Sequence, residues 1–168
     1  MRLTTFTDYT LRTLVYLAVR PGSLVTIAKV ATAYGISVNH MMKVVNQLAL
    51  AGDIRTVRGQ RGGLMLLREP GDINIGAVVR RCETSLAPAG CFDGDRCAIQ
   101  EHCILKAALA QAMVAFIRVL DGYTLADVTQ NRVALGDLLG IAGGDGMAAT
   151  RRTDRCASQE VGEVCLLH

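Results

Sequence analysis

Three cysteines fall within the thirteen residues CFDGDRCAIQEHC: Cys91, Cys97 and Cys103, each separated from the next by five others. A helix turns ~100° per residue, so successive thiols six positions apart differ by ~240° and share no helix face. They converge only if the chain between them is a loop, and the polar filling around Gly94 suits one. Structural zinc pairs its cysteines at closer spacing. A disulfide would leave one thiol over, and the start MRLTTFTDYTLR has an early acidic residue and no apolar signal core, so a cytoplasmic protein is expected. Iron–sulfur clusters accept thiolates at more varied spacing, usually with four ligands in all. The pattern therefore favours a cluster over three free thiols. Asp93, Asp95, Glu101, His102 and Cys82 are nearby candidates for a fourth ligand. Glu101 and His102 adjoin Cys103 too closely to face one small cluster with it, and Cys82 sits among apolar residues. Spacing alone does not choose.

A second set of residues has the chemistry of nucleic-acid recognition. In SVNHMMKVVNQLALAG (37–52), Ser37, Val38, Asn39, His40 and Lys43 open a helix. Asn can contact adenine through two hydrogen bonds, Lys can reach guanine or phosphate, and Ser can serve either. Downstream, RGQRGG brings Arg58, Gln60 and Arg61 to a turn whose glycines permit close backbone approach. Charge supports a polyanion partner. Net charge is +3 over 168 residues, but 1–81 hold eleven Lys/Arg against four Asp/Glu, and 82–168 hold seven against eleven.

The elements that must carry these residues are mostly helical. Hydrophobic residues make up 51% of the chain with only seven aromatics, so aliphatic side chains must fill the core. No apolar run is long enough to span a membrane. Helical spacing covers 4–21, with Asp8 and Arg12 four apart on one face. Thr26 is placed to cap a helix ending at Tyr34, Gly35 to turn the chain, and Ser37 to cap a second helix running to Ala51, with Gly52 closing it. Residues 53–70 read as a hairpin. A helix-turn-helix followed by a hairpin makes a winged helix, mainly α with one small β-hairpin, over 1–71. A linking helix over 72–83 with Asp72 near its start, a loop over 84–102 and a long helix from Cys103 to about Asp121 form a second region, 72–142. The long helix is apolar on nearly all faces and predicts a homodimer. One or two short helices follow, and 143–168, with Cys156 and Cys165, is expected to be a mobile tail.

MRLTTFTDYTLR, YGISVNHMMKVVNQLALAG, VRGQRGGL, INIGAVVR, the three cysteines and DGYTLADV together resemble the winged-helix iron–sulfur regulator family that includes IscR and RirA, from residue 1 to about 142. IscR-like members carry a ligand histidine three residues after the last cysteine, where this chain has Lys106, and RirA-like members space the first two cysteines more widely. Both departures point to the nitric-oxide-sensing branch. The resemblance implies a homodimeric repressor on a palindromic DNA operator, released by nitric oxide. It implies an iron–sulfur cluster, four-iron in preference to two-iron, held by Cys91, Cys97, Cys103 and Asp8 of the other subunit. Asp8 would pair with Arg12 when it leaves the cluster, making the two a switch. The alternatives are an iron- or cluster-supply sensor of the same family and, from a different class, a zinc-stabilised winged-helix interaction protein. An enzyme is not expected, since no phosphate loop or nucleophile motif is present.

Overall fold

The computed structural model describes residues 2–59 and 61–141. Thr4 caps the first helix, α1 (Thr5–Val19), through its side chain. Thr26 caps α2 (Ile27–Tyr34), which ends on Gly35 at φ +62°, a left-handed conformation that costs glycine little. Ser37 then caps α3 (Val38–Leu50). Ile36 before that cap and Met41 inside the helix are both buried, a hydrophobic staple that sets the angle between α2 and α3.

The strands β1 (Ile54–Val57) and β2 (Gly63–Leu66) pair antiparallel, with Ile54 opposite Leu66 and Val57 opposite Gly63. Val25 adds a bridge to Leu64 with hydrogen bonds of 2.9 and 2.7 Å. A Cβ at Gly63 would lie 2.8 Å from the Val25 carbonyl oxygen, so the hairpin docks there through backbone alone. Leu14, Leu17, Val25, Val30, Met41, Val44, Leu48, Ile54 and Leu64 form the core beneath this winged helix-turn-helix.

The linking helix starts later than expected. Pro70 opens a 3-10 turn that takes in Asp72, and α4 (Ile75–Cys82) is capped instead by Asn74, whose Oδ1 accepts from Ala77 N–H at 2.9 Å. The 84–102 segment contains two further 3-10 turns, Gly90–Phe92 and Gln100–His102. Then come α5 (Ile104–Asp121), α6 (Leu125–Val128) and α7 (Arg132–Leu138). The last two helices turn back onto α1, and Leu125 is fully buried in the same core. None of the eighteen residues of α5 is buried. The 143–168 segment and its Cys156 and Cys165 lie outside the described residues. No helix among those described is long and apolar enough to cross a membrane.

Candidate nucleic-acid interface and cysteine loop

The inward face of α3 consists of Met41, Val44, Val45 and Leu48. At ~100° per residue the opposite side is centred on Asn39, Lys43 and Asn46, all exposed. Val38 and Met42 border that ridge on one side, and His40 and Gln47 on the other. Val38, Asn39, His40 and Lys43 are thus exposed, and Met42, Asn46 and Gln47 join them beyond those the sequence singles out. Those three can be found by measuring the angle from the buried positions rather than stopping at the helix start. Ser37 is engaged by the helix itself: its Oγ accepts from His40 N–H at 3.4 Å and meets His40 Nδ1 at 3.1 Å. The His40 ring also stands 6.2 Å from that of Tyr9 on α1. At the hairpin tip Arg58 and Arg61 are exposed; Gln60 lies outside the described residues.

A buried carboxylate fastens the base of the wing. Asp53, fully buried between α3 and β1, is paired with Arg81 on α4 and with Arg68 beyond β2, the latter at 3.4 Å. Arg68 also donates to the Asp72 carbonyl. The partners are fifteen and twenty-eight residues from Asp53, beyond the reach of any local pattern.

A second junction joins α4 to α5. Asn74 Nδ2 donates to the Asp121 carbonyl at 2.7 Å, Ile75 N–H to the Tyr123 carbonyl at 2.9 Å, and Leu125 N–H to the Ile73 carbonyl at 2.8 Å. Arg80 holds the Asp121 carboxylate through two contacts of 2.7 and 3.0 Å, which keeps that carboxyl below its ordinary pKa. A Cβ at Gly76 would collide with the Asp121 carboxylate. The segments INIGAVVR and DGYTLADV, quoted separately above, are the two sides of this contact.

Asp8 forms the helix pair expected of it, accepting from Arg12 Nε at 2.8 Å with both side chains partly exposed. The Arg12 guanidinium lies 5.6 Å from the centre of the Tyr34 ring. Arg2, Leu3, Thr5, Asp8, Tyr9, Leu11, Arg12, Tyr34, Gly35 and Ile36 line an open groove of about 630 Å³. Glu83, at the end of α4, accepts from the Thr4 N–H at 2.7 Å and the Thr4 hydroxyl at 3.1 Å, tying the start of α1 to the beginning of the cysteine loop.

In that loop Cys91, Cys97 and Cys103 are free thiols, Cys97 exposed and the other two half-buried. Cys103 Sγ caps α5, accepting from Lys106 N–H at 3.4 Å. One neighbouring carboxylate has another partner. Asp93 accepts from Ser85 Oγ at 2.7 Å, and Asp95 folds against Gly90. Burial pushes the Cys82 thiol above its ordinary pKa, only partly offset by a hydrogen bond with Thr10 and by Arg81. Three free thiols are the donor type an iron–sulfur cluster takes. Among the described residues no three His, Cys, Asp or Glu side chains stand close enough to hold a metal ion, so the structure does not bring the three thiols together.

The chain is similar to known regulators across this whole arrangement. A family model for Rrf2, described as an iron-dependent transcriptional regulator, matches residues 3–131. The HTH-type transcriptional regulator NsrR of Bacillus subtilis (strain 168) is 45% identical over 142 residues, which is 83% of this chain and 97% of that protein. Among solved structures, T. potens IscR superposes with a TM-score of 0.63 at 27% identity, over 78% of this chain and 88% of the other. CymR, the global cysteine regulator of B. subtilis, gives a TM-score of 0.62 at 23% identity, over 78% and 98%, a likeness of fold. The family model and the NsrR relative both cover more than two thirds of the chain, and the chain belongs to the Rrf2 family of transcriptional regulators.

Proposed function

We propose that this regulator is a cytoplasmic homodimeric repressor that binds a palindromic operator through α3 and the wing and leaves it in response to nitric oxide. What supports the reading is that Cys91, Cys97 and Cys103 are free thiols within one loop and that Asp8, on α1, lines an open groove. Those three thiols and Asp8 of the partner subunit would hold an iron–sulfur cluster, a four-iron one in preference to a two-iron one. When bound, such a cluster supplies iron with affinity for nitric oxide.

The chain's own residues provide the switch. A carboxylate oxygen suits cluster iron less well than a thiolate, which makes Asp8 the weakest of the four donors. Arg12 stands ready to take the Asp8 carboxylate, at 2.8 Å, so the side chain has two competing partners. Arg12 also touches Tyr34 at the end of α2, and Tyr9, next to Asp8, touches His40 on α3. A change at Asp8 thereby reaches the recognition helix through contacts of a single turn of α1. Exposed Ile104, Leu105, Val114 and Val119 on α5 support dimerisation, since a second copy covers what this chain leaves open.

Anaerobically purified protein is expected to contain iron and sulfide and to lose operator binding when nitric oxide is added. Retention of bound iron and gas-sensitive binding in Cys97→Ala would refute the proposal. Unchanged spectra and response in Asp8→Ala would remove Asp8 from it. The family's description as iron-dependent supports a second reading, a sensor of iron or cluster supply. Derepression by iron starvation but not by nitric oxide would select that one, and zinc in place of iron would select a structural metal.

A further inference from the structure

The first half of the recognition helix exposes two apolar side chains that its own fold does not use. Val38 is 46% and Met42 49% exposed. The hydrophobic staple at the start of α3 is made by Ile36 and Met41, both buried, and the core face by Met41, Val44, Val45 and Leu48. Val38 and Met42 are four residues apart, so their Cβ atoms form one short row ~5–6 Å long. That row runs beside the polar ridge of Asn39, Lys43 and Asn46.

The surroundings decide what can cover it. Lys43 adjoins the row, exposed Arg58 and Arg61 stand at the wing tip, and the half of the chain that contains them has eleven basic residues against four acidic ones. This is a setting for a polyanion rather than for an apolar protein surface. The major groove of DNA is lined with hydrogen-bonding groups and has one apolar feature, the C5-methyl of thymine. A row of ~5–6 Å spans one to two base-pair steps of ~3.4 Å, so each side chain can meet a different base. Val38, β-branched and stiff at χ1, suits a fixed contact, and Met42, long and adaptable, suits a deeper one.

We propose that Val38 and Met42 are specificity-determining residues that pack on thymine methyl groups in each half-site. The inference rests on the DNA-binding reading above and specifies which bases lie under the first turns of α3. The test uses the full-length protein and a duplex it selects from a random-sequence library. Each thymine is replaced singly by deoxyuridine, which removes the methyl and leaves every hydrogen-bonding edge unchanged. Affinity of the native protein is expected to fall about fourfold for each contacted methyl. Val38→Ala and Met42→Ala should each abolish the response at one thymine and keep it at another. Because both side chains are exposed, the variants should melt like the native protein. Uracil substitutions that nowhere change affinity by twofold, or that act equally on native protein and both variants, overturn the proposal. Failure to enrich any sequence overturns the DNA-binding premise itself, a result distinct from sequence-selective binding that ignores the methyls.

Discussion

Asp53 offers a quantitative test of how the wing is held. Its carboxylate is fully buried, whereas the two arginines it binds are partly exposed, Arg68 at 45% and Arg81 at 40% of the side chain. Removal of either side of the contact is therefore unequal. In Arg81→Met the carboxylate remains buried with only Arg68, 3.4 Å away. Stranding a buried charge costs ~3–5 kcal/mol, and the residual arginine reduces this to about 3. In Asp53→Asn the arginines can swing into water, leaving one poorly matched amide at ~1–2 kcal/mol. The double variant should cost less than the sum, because the stranded carboxylate is gone. Urea unfolding at one fixed protein concentration measures all three. At this chain length the Arg81→Met loss corresponds to a drop in melting temperature of roughly 6–12 °C. An Asp53→Asn cost larger than that of Arg81→Met, or strict additivity in the double variant, would refute the reasoning.

Three further outcomes follow from the geometry. Gly76→Ala should destabilise the protein by ~1–3 kcal/mol, because the added methyl collides with Asp121 and pushes α4 off α5; an unchanged urea midpoint would contradict that contact. Tyr34 has its phenol pushed up to about 12, first by burial, with Tyr16 and Asp8 adding to it and Arg12 opposing. Since the unfolded phenol ionises near 10.0, the unfolded chain loses its proton first, and stability should fall as pH rises from 10 towards 12, more steeply than in Tyr34→Phe; parallel stability profiles would count against it. Arg58→Ala combined with Arg61→Ala should flatten the plot of log affinity against log salt by about 1.8, two phosphate contacts' worth, and an unaltered slope would place both arginines off the DNA.

Much of the winged helix was legible because its signals are local. Thr26, Gly35 and Ser37 each act within four residues, through a side-chain cap or a backbone turn, and the helix ends they imply are the ones observed. The Asp8–Arg12 pair likewise needs only helical spacing. The start of α4 was misplaced because Asp72 and Asn74 are both good caps in sequence. Asn74 prevails because its amide also reaches the Asp121 and Tyr123 carbonyls, forty-seven and forty-nine residues away. In the cysteine loop the spacing restricted the chemistry without choosing among the nearby ligands. The folded chain gives one of them, Asp93, another partner in Ser85, a contact that spacing does not reveal.

By itself, then, the sequence determined the helices of the helix-turn-helix and their caps, the hairpin with its arginine tip, and a set of three thiols too widely spaced for one helix face. Those properties depend on dihedral preferences and on neighbours within a turn or two. Only the tertiary structure decided that Asp53 anchors the wing to α4, that Asn74, Gly76 and Arg80 clasp the end of α5, and that Val38 and Met42 face outward. Each of these depends on which distant surfaces meet, and burial against a particular partner sets whether a charge is held, a glycine is required or an apolar side chain is left for another molecule.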